Sequence, residues 1–329
     1  MSLDNQMFAL IVKIFSSRYL KSRLIFRVLV RFSRLWSRIR GTRLDFDLKR
    51  FEEAAWVAKS KKNKSGGYDK SIELVVVSTL KDFDILPYSV NYALRALRPY
   101  KITGVRVIVP SRDVTACKRL MIDFKYQAEI VAESDLISQK HFKKLTTVFG
   151  SRDKWILQQL LKVQGVLTSQ SDAVLILDSD TVLLRPRPWF SSTGHQILMP
   201  TMEYNKSYYE FLQKLNISEL VPKYSFISHH MLMQPKILSR LLNSLDLLRI
   251  DAFINYICDN ANTDVQSPVC VDYELYGQYL YKTEPKEYFL EQWSNISISR
   301  RHLGIILKSK FVKLTLRTFY NSVSFHSWS

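Results

Sequence analysis

Two carboxylates interrupt a long apolar run near the middle of the chain. The apolar residues 173–177 lead directly into Asp178-Ser179-Asp180, and apolar residues resume at once after Thr181. A short, continuous apolar run is typical of a strand that is buried on both faces of a parallel sheet. Ligands of open parallel sheets bind at the carboxyl ends of the strands. The sequence therefore predicts that Asp178 and Asp180 lie at the ligand-binding edge of a buried sheet.

The segments that precede this run alternate between strand and helix patterns. The predicted strands cover residues 72–78, 105–109 and 128–131, and the predicted helices cover residues 86–98, 113–122 and 153–166. The second half adds a strand-like stretch and three helices, at residues 224–233, 235–248, 251–258 and 272–281. This alternation favours a parallel sheet with right-handed crossovers. We therefore predict an α/β fold with a mostly parallel, Rossmann-type sheet flanked by helices.

The formal net charge of +18 is concentrated at the two ends of the chain. Residues 1–44 contain ten Lys or Arg and one acid, and residues 292–329 contain six Lys or Arg and no acid. The polar segment 59–70 holds a Gly-Gly pair, which is typical of a linker. The predicted organisation is listed from the N-terminus as a basic helical segment (1–58), a linker (59–70), a globular domain (71–300) and a basic extension (301–329).

The N-terminal segment combines basic residues with apolar residues at helical spacing, among them Ile11, Phe15, Phe32 and Trp36. Basic residues interrupt the apolar run too often for a membrane span, so we expect amphipathic helices that lie on an anionic membrane surface. A solvated or internally packed helix is the alternative. Nucleic acid is not expected as a partner, because phosphate contacts do not require so much apolar surface opposite the cations.

The cysteines also bear on location. Cys117, Cys258 and Cys270 are an odd number and lack the paired spacing of a zinc site. A chain of 329 residues does not depend on disulfides for a core, so ordinary reduced thiols are expected. We therefore predict a cytoplasmic protein, held peripherally on the inner face of the cell membrane.

The spacing of the two acids limits their chemistry. Carboxylates at i and i+2 after a buried strand can bind Mn²⁺ or Mg²⁺, which prefer oxygen ligands and accept phosphate oxygens in their remaining positions. Such a metal would neutralise a nucleotide diphosphate as it leaves.

Two other possibilities stay open at this point. An apolar strand followed by Asp-x-Asp also opens haloacid-dehalogenase-type phosphatases, in which Asp178 would be the nucleophile and Asp180 the general acid. That chemistry needs a downstream acidic cluster, and neither Asp-Asp nor Gly-Asp-x-x-x-Asp follows residue 180. The other possibility is a non-catalytic, membrane-associated partner protein.

Residues 72–184 resemble the nucleotide-binding half of GT-A glycosyltransferases. Four motifs resemble a poorly characterised bacterial glycosyltransferase-like family over residues 70–300. They are KWILQQLLK at 154–162, LDSDT at 177–181, HHML at 229–232 and DYELYG at 272–277. The resemblance implies a GT-A-like fold and a cytoplasmic enzyme of polysaccharide biosynthesis. Such an enzyme would transfer a sugar from a nucleotide-diphosphate sugar to a glycan or lipid-linked acceptor.

Analogy with GT-A enzymes nominates donor-binding residues in the turn after the first strand, and the helix that leads to the acid pair offers others. They are Thr79, Lys81 and Asp82 for the base and ribose, Lys154 and Lys162 for the diphosphate, Gln158 and Gln159 for the sugar, and Asp178 for the ribose or sugar. An ordinary polar turn and a solvated helix face remain the alternatives for these residues.

Four histidines are candidates for the metal or the acceptor. His229 and His230 are adjacent in a strand pattern, so at most one of them faces the site. The alternation of side chains along this strand favours His230. A histidine of the core is the alternative. His302 and His326 are further candidates for the metal, and the sequence does not rank them.

An inverting transfer requires a general base that takes the proton of the acceptor hydroxyl. Asp272 and Glu274 are the candidates, and they cannot both face one point if they lie on a helix. We favour Asp272, because an acid at the start of a helix can project into a cleft. A simple helix N-cap is the alternative for Asp272.

Overall fold

The computed structural model describes residues 66–326, except residues 123, 125, 202, 204, 262–268 and 270. The predicted N-terminal helices (1–58), the first part of the predicted linker and Cys270 therefore lie outside the described residues. Within the described part of the chain, no helix is long and apolar enough to cross a membrane.

The described residues form alternating strands and helices. The strands are β1 Ser71–Val77, β2 Lys101–Val109, β3 Glu129–Ala132, β4 Ala173–Asp178, β5 Thr181–Leu183, β6 Gln196–Leu198, β7 His230–Met233, β8 Tyr288–Leu290, β9 Asn295–Ser299 and β10 Ser322–His326. The helices are α1 Leu86–Ala96, α2 Val114–Met121, α3 Glu133–Leu136, α4 Gln139–Phe149, α5 Asp153–Leu167, α6 Lys206–Lys214, α7 Pro235–Ser244, α8 Ile250–Asn260, α9 Tyr273–Thr283, α10 Leu303–Lys308 and α11 Lys310–Phe319.

The main sheet has the strand order β3-β2-β1-β4-β7. Strands β1 to β4 pair in parallel, and β7 pairs antiparallel with β4. The predicted α/β fold with a mostly parallel sheet flanked by helices is confirmed. Val77 at the end of β1 is the register partner of Asp178 at the end of β4, so the turns that follow both strands leave the sheet side by side.

Apolar residues on both faces bury the centre of this sheet. Leu74 and Val76 of β1 belong to the core cluster that includes residues of α1. Val75 and Val77 of the same strand belong to the cluster that includes residues of α5. Successive side chains of a strand point to opposite faces, so the continuous apolar run of β1 fills two layers of core at once.

The C-terminal residues form a second, smaller sheet in the order β5-β10-β9. Strand β10 pairs antiparallel with β5 and parallel with β9, and a third core cluster lies between this sheet and α10–α11. The described part of the predicted extension 301–329 is therefore built into the fold, and the predicted boundary at residue 300 does not separate it. Net charge does not reveal this, because Val323 and Phe325 alternate with polar residues within one short strand.

Several elements differ from the sequence prediction, and two of them are explained here. The strand predicted at 224–233 is reduced to β7, because Ser225 and Phe226 bond to Glu274 of α9 and only isolated backbone contacts join residues 225 and 229 to neighbouring segments. Helix α4 was not predicted. Its buried side chains His141, Leu145 and Phe149 recur every four residues, a helical pattern that polar residues on both sides obscure.

Gly277 of α9 tests how tightly this helix packs. A Cβ atom at Gly277 would lie 2.6 Å from Cγ and Cδ2 of the buried Phe226 ring. We expect Gly277→Ala to lower the free energy of unfolding by about 1–3 kcal/mol, because overpacking outweighs the better helix propensity of alanine. Gly304→Ala in α10 is the matched control, since among the described residues no atom outside the adjoining helix backbone lies within 4 Å of its Cβ position. Urea denaturation of both variants measures the difference, and an unchanged or raised stability of Gly277→Ala would contradict the packing.

Candidate active site

Asp178 and Asp180 lie where the two sheets meet. Asp178 is the last residue of β4, and Asp180 directly precedes β5. Asp178 is the register partner of Val77 at the end of β1, so both acids lie at the carboxyl edge of the central parallel strands, as the sequence predicted.

Three side chains converge on the carboxylate of Asp178. Lys162 Nζ lies 2.7 Å from Oδ1, the Tyr273 hydroxyl donates to the same oxygen at 2.7 Å, and His229 Nδ1 lies 3.2 Å from Oδ2. Burial alone would raise the pKa of Asp178, but the charges of Lys162 and His229 hold this pKa well below its usual range. Asp178 is therefore an anion held by two cationic partners.

Lys162 is the cation at the centre of the network. It is 5% exposed, lies 2.9 Å from Asp272 Oδ2 as well as contacting Asp178, and sits 4.2 Å from the centroid of the Tyr273 ring. Burial would lower the pKa of Lys162, but the two carboxylates raise it well above the usual value. Lys162 therefore stays charged beside Asp178.

Asp272 does not have the position expected of a general base. It is 4% exposed, its Oδ1 accepts a hydrogen bond from the backbone N–H of Tyr273 at 2.7 Å, and its Oδ2 pairs with Lys162. Asp272 is the N-cap of α9 and a counter-ion of Lys162, which is the alternative that the sequence left open.

Glu274 lies in the core and not at the sheet edge. Its fully buried carboxylate accepts four hydrogen bonds, listed as the Tyr209 hydroxyl, the Ser225 hydroxyl, the Phe226 backbone N–H and the Gln278 amide. Burial raises the pKa of Glu274 although these donors oppose the rise. The structure argues against Glu274 as the base, because its oxygens hold the loop before β7 in place.

The sequence favoured His230 as the histidine that faces the site, but the structure places His229 there. His230 is 1% exposed, its Nδ1 bonds to the carbonyl of Ser228 at 2.8 Å, and its ring centroid lies 4.2 Å from that of Trp293. His229 instead reaches Asp178. The reason is that His229 has a φ of 60°, which turns its side chain out of the alternation that begins at His230.

His229 also joins the site to a carboxylate at the surface. Its Nε2 lies 3.5 Å from Oε2 of Glu203, whose side chain is 48% exposed. Burial lowers the pKa of His229, but Asp178 and Glu203 raise it to about 10. Glu203 was not singled out from the sequence, where no motif marks it.

Asp180 faces the C-terminal strand. Its Oδ2 lies 3.2 Å from Nδ1 of His326, and its backbone carbonyl accepts a hydrogen bond from the N–H of Phe325 at 2.9 Å. The other ring nitrogen of His326 contacts the Ser297 hydroxyl at 3.1 Å. Of the two late histidines, the structure thus brings His326 to the acid pair, whereas His302 accepts a hydrogen bond from Arg301.

A set of hydrogen bonds fixes the loop between the acids. Ser179 donates to Oδ2 of Asp82 at 3.0 Å, and its carbonyl accepts from the Ser89 hydroxyl at 2.8 Å. Arg300 Nη2 donates to the other oxygen of Asp82 at 2.7 Å. Asp82, predicted to contact the nucleotide, therefore has both oxygens engaged and positions the acid loop.

The other predicted residues of this turn are differently placed. The carbonyl of Lys81 accepts a hydrogen bond from Arg300 at 2.9 Å, and its side chain is exposed. The hydroxyl of Thr79 is buried and has no hydrogen-bond partner within the described chain.

The predicted donor residues on helix α5 differ in their position along the helix and in their burial. Lys154 is exposed and lies eight residues before Lys162, about 12 Å along the helix axis, so it does not share the Asp178 contact. Gln158 is half-buried one turn from Lys162, on the same side of the helix. Gln159 is 3% exposed and bonds to the backbone of Val269 and Val271, so it supports the segment before α9 and does not face a ligand.

Asp180 and His326 are the candidate metal ligands of the site. Among the described residues, no group of three or more His, Cys, Asp or Glu side chains could hold a metal by itself. Asp180 Oδ2 and His326 Nδ1 lie 3.2 Å apart and are hydrogen-bonded, so a cation held by this pair would replace that bond and take its other ligands from phosphate and water.

Fold and site define an α/β protein with an acid pair at the carboxyl edge of its parallel strands. The chain belongs to a family described as a family of unknown function, DUF6492, whose model matches residues 78–310. A search of curated proteins gives no match.

Several solved structures resemble the chain weakly. The apo form of mouse xyloside xylosyltransferase 1 is 10% identical with a TM-score of 0.43, and the match covers 78% of this chain and 98% of that one. Core-mannan synthase A from Aspergillus fumigatus, in an Mn/GDP form, is 7% identical with a TM-score of 0.42 and coverages of 70% and 76%. The galactosyltransferase LgtC with donor and acceptor sugar analogues is 12% identical with a TM-score of 0.37 and coverages of 77% and 86%. With TM-scores below 0.5, these similarities do not by themselves define the activity of this chain.

The burial of His230 predicts a pH dependence of stability. Burial lowers the pKa of His230 from 6.5 to about 4, so the unfolded chain takes up its proton at a higher pH than the folded one. The neutral His230 ring therefore contributes fully to the free energy of unfolding above pH 6.5. As the pH falls towards 4, the free energy of unfolding decreases by about 2–3 kcal/mol. We expect His230→Gln to flatten the pH dependence of unfolding free energy in this window. Parallel curves for wild type and variant would show that His230 does not titrate as a core residue.

Proposed function

We propose that this protein is a GT-A-like glycosyltransferase that moves a sugar from a nucleotide-diphosphate sugar to a glycan or lipid-linked acceptor. The observation that carries the proposal is the pairing of Asp180 with His326 at the carboxyl edge of the parallel sheet. Parallel sheets bind nucleotides at this edge, and a carboxylate with an imidazole can hold the cation that a diphosphate requires.

The cation in this proposal is Mn²⁺ or Mg²⁺. Asp180 and His326 would hold it, and Asp178 would contribute through Oδ2, the oxygen that His229 contacts. Both metals accept phosphate oxygens and water as remaining ligands, so two or three protein ligands suffice. When bound, the metal supplies positive charge that stabilises the departing nucleoside diphosphate.

Protein cations would act beside the metal. Lys162 and His229 carry positive charge at the Asp178 carboxylate, which orients both cations towards the sheet edge. Fixed charges in a partly buried site stabilise a developing anion more strongly than solvent does. Three predicted residues take part in no buried ion pair among the described residues and therefore stay candidates for binding the nucleotide and sugar: Thr79, Lys81 and Gln158.

Glu203 is the proton acceptor that we assign if the transfer inverts. Asp272 and Glu274 are buried and bonded, whereas the Glu203 side chain is 48% exposed and linked to Asp178 through His229. A base must reach the acceptor hydroxyl, so exposure at the edge of the site favours Glu203.

Attachment to an anionic membrane completes the proposal. Residues 1–44, which lie outside the described residues, carry ten basic residues among apolar ones. Each Lys or Arg near an anionic bilayer contributes about 1 kcal/mol, and burial of a few apolar side chains adds to this. The protein would then work on the inner face of the cell membrane, where a lipid-linked acceptor is within reach.

Removal of the Asp180 carboxylate tests the metal site. We expect Asp180→Ala to abolish Mn²⁺-dependent binding of nucleoside diphosphates and to lower transfer about 100-fold or more, because even residues behind metal ligands cost up to that much. Asp259→Asn, which removes an exposed carboxylate of α8, is the matched control. Calorimetry of a nucleoside diphosphate panel with MnCl₂ or EDTA measures binding. Equal Mn²⁺-dependent binding by Asp180→Ala and Asp259→Asn would refute the site.

The products of the reaction separate the enzyme classes. Incubation with nucleotide sugars, MnCl₂ and a glycan or lipid-linked acceptor should release free nucleoside diphosphate, detected by anion-exchange chromatography. A haloacid-dehalogenase-type phosphatase would instead release inorganic phosphate from phosphate esters and form an aspartyl-phosphate at Asp178. Trapping that intermediate would replace the proposal, and a panel without product would support a non-catalytic partner protein.

A further inference from the structure

Three arginines come together beyond the end of β5. Arg185 and Arg187 lie in the Arg-Pro-Arg-Pro segment that follows Leu184, and both are half-buried. The backbone N–H of Leu184 donates to the carbonyl of Asn321 at 2.7 Å. Leu316 of α11 belongs to the same core cluster as Leu184, so α11, with the exposed Arg317 next to Leu316, packs beside this segment.

The hydrogen bonds of these arginines are incomplete. The Nε atoms of Arg185 and Arg187 are buried and have no hydrogen-bond partner among the described residues. Arg187 forms an ion pair through Nη1 with Glu291, and within the described chain no carboxylate pairs with Arg185. One carboxylate thus stands beside the two half-buried guanidinium groups, whereas the third, that of Arg317, is exposed.

Such an arrangement is unfavourable without a further partner. A buried donor that makes no hydrogen bond loses its hydration without compensation. Burial lowers the pKa of Arg185, and repulsion by Arg187 and Arg317 lowers it further. An oxyanion would relieve both effects, because a guanidinium group binds phosphate or carboxylate oxygens with two parallel hydrogen bonds.

We propose that Arg185, Arg187 and Arg317 form a phosphate-binding site. The site is separate from the acid pair. Asp180 directly precedes β5, whereas Arg185 lies two residues beyond the other end of this strand, so the two sites are at opposite ends of β5.

Two sources could supply the phosphate group, a soluble phosphate or the headgroup of an anionic phospholipid. Helix α11 bears on the second source. Lys310, Lys313, Leu314 and Arg317 share one face at helical spacing, and the Leu314 side chain is 48% exposed. Basic residues around an exposed apolar side chain suit a lipid surface, so the experiment includes vesicles.

The first experiment measures inorganic phosphate binding to the full chain by calorimetry in EDTA, which removes metal-dependent binding at Asp180. We expect Arg185→Gln to weaken phosphate binding about tenfold or more, as removal of a charged hydrogen-bond partner does. Arg112→Gln is the control, because it removes the same charge from a side chain that is 81% exposed. Equal affinities of wild type, Arg185→Gln and Arg112→Gln would overturn the proposal.

Thermal unfolding separates a binding role from a packing role. Without phosphate, Arg185→Gln should melt at the wild-type temperature or above it, because the variant relieves repulsion and loses no partner. With phosphate, the wild type and Arg112→Gln should gain more stability than Arg185→Gln, compared with NaCl of equal ionic strength. A lower melting temperature of Arg185→Gln in phosphate-free buffer would mean that Arg185 is held by the fold, and the proposal would fail.

Vesicle sedimentation identifies the source. Wild type, Arg185→Gln and Arg112→Gln share residues 1–44, so differences between the two variants report on the arginine site alone. Weaker binding of Arg185→Gln than of Arg112→Gln to phosphatidylcholine vesicles containing phosphatidic acid would identify a lipid headgroup. Equal vesicle binding, together with lost phosphate binding, would identify a soluble phosphate. None of these outcomes depends on glycosyl transfer.

Discussion

The buried ammonium group of Lys162 is the interaction on which the site depends. It pairs with Asp178 at the end of β4 and with Asp272 at the start of α9, so it joins a strand and two helices at one point. Loss of one partner from a buried ion pair typically costs about 3–5 kcal/mol, because an uncompensated charge stays buried. The Lys162 ammonium group that holds these elements together also keeps Asp178 ionised. A change at Lys162 would therefore affect both the stability of the fold and the charge of the site.

The rest of the site is assembled from distant parts of the chain. His326 of β10 reaches Asp180, and Arg300 bonds to Asp82, which in turn holds Ser179 between the two acids. The C-terminal residues therefore close the sheet edge from one side. A segment that looks by composition like a basic tail supplies both a candidate metal ligand and the support of the acid loop.

Several residues that the motifs marked have structural roles instead. Glu274 holds the loop before β7 through four hydrogen bonds, and Gln159 holds the backbone before Asp272. These are polar groups that burial obliges to bond within the protein. In these motifs, residue type alone does not separate a candidate ligand contact from a buried polar contact within the protein.

The sequence by itself determined the α/β architecture and the place of Asp178 and Asp180, because a buried strand and the residues at its end are local properties of a continuous segment. Only the tertiary structure decided the partners of these acids. His229 and His326 lie 51 and 146 residues from the carboxylates that they contact, and the left-handed backbone of His229 breaks the alternation that pointed to His230. Long-range pairing and a single backbone angle leave no periodic signal in a sequence, which is why the sequence did not predict which histidines and acids lie at the sheet edge and which are buried.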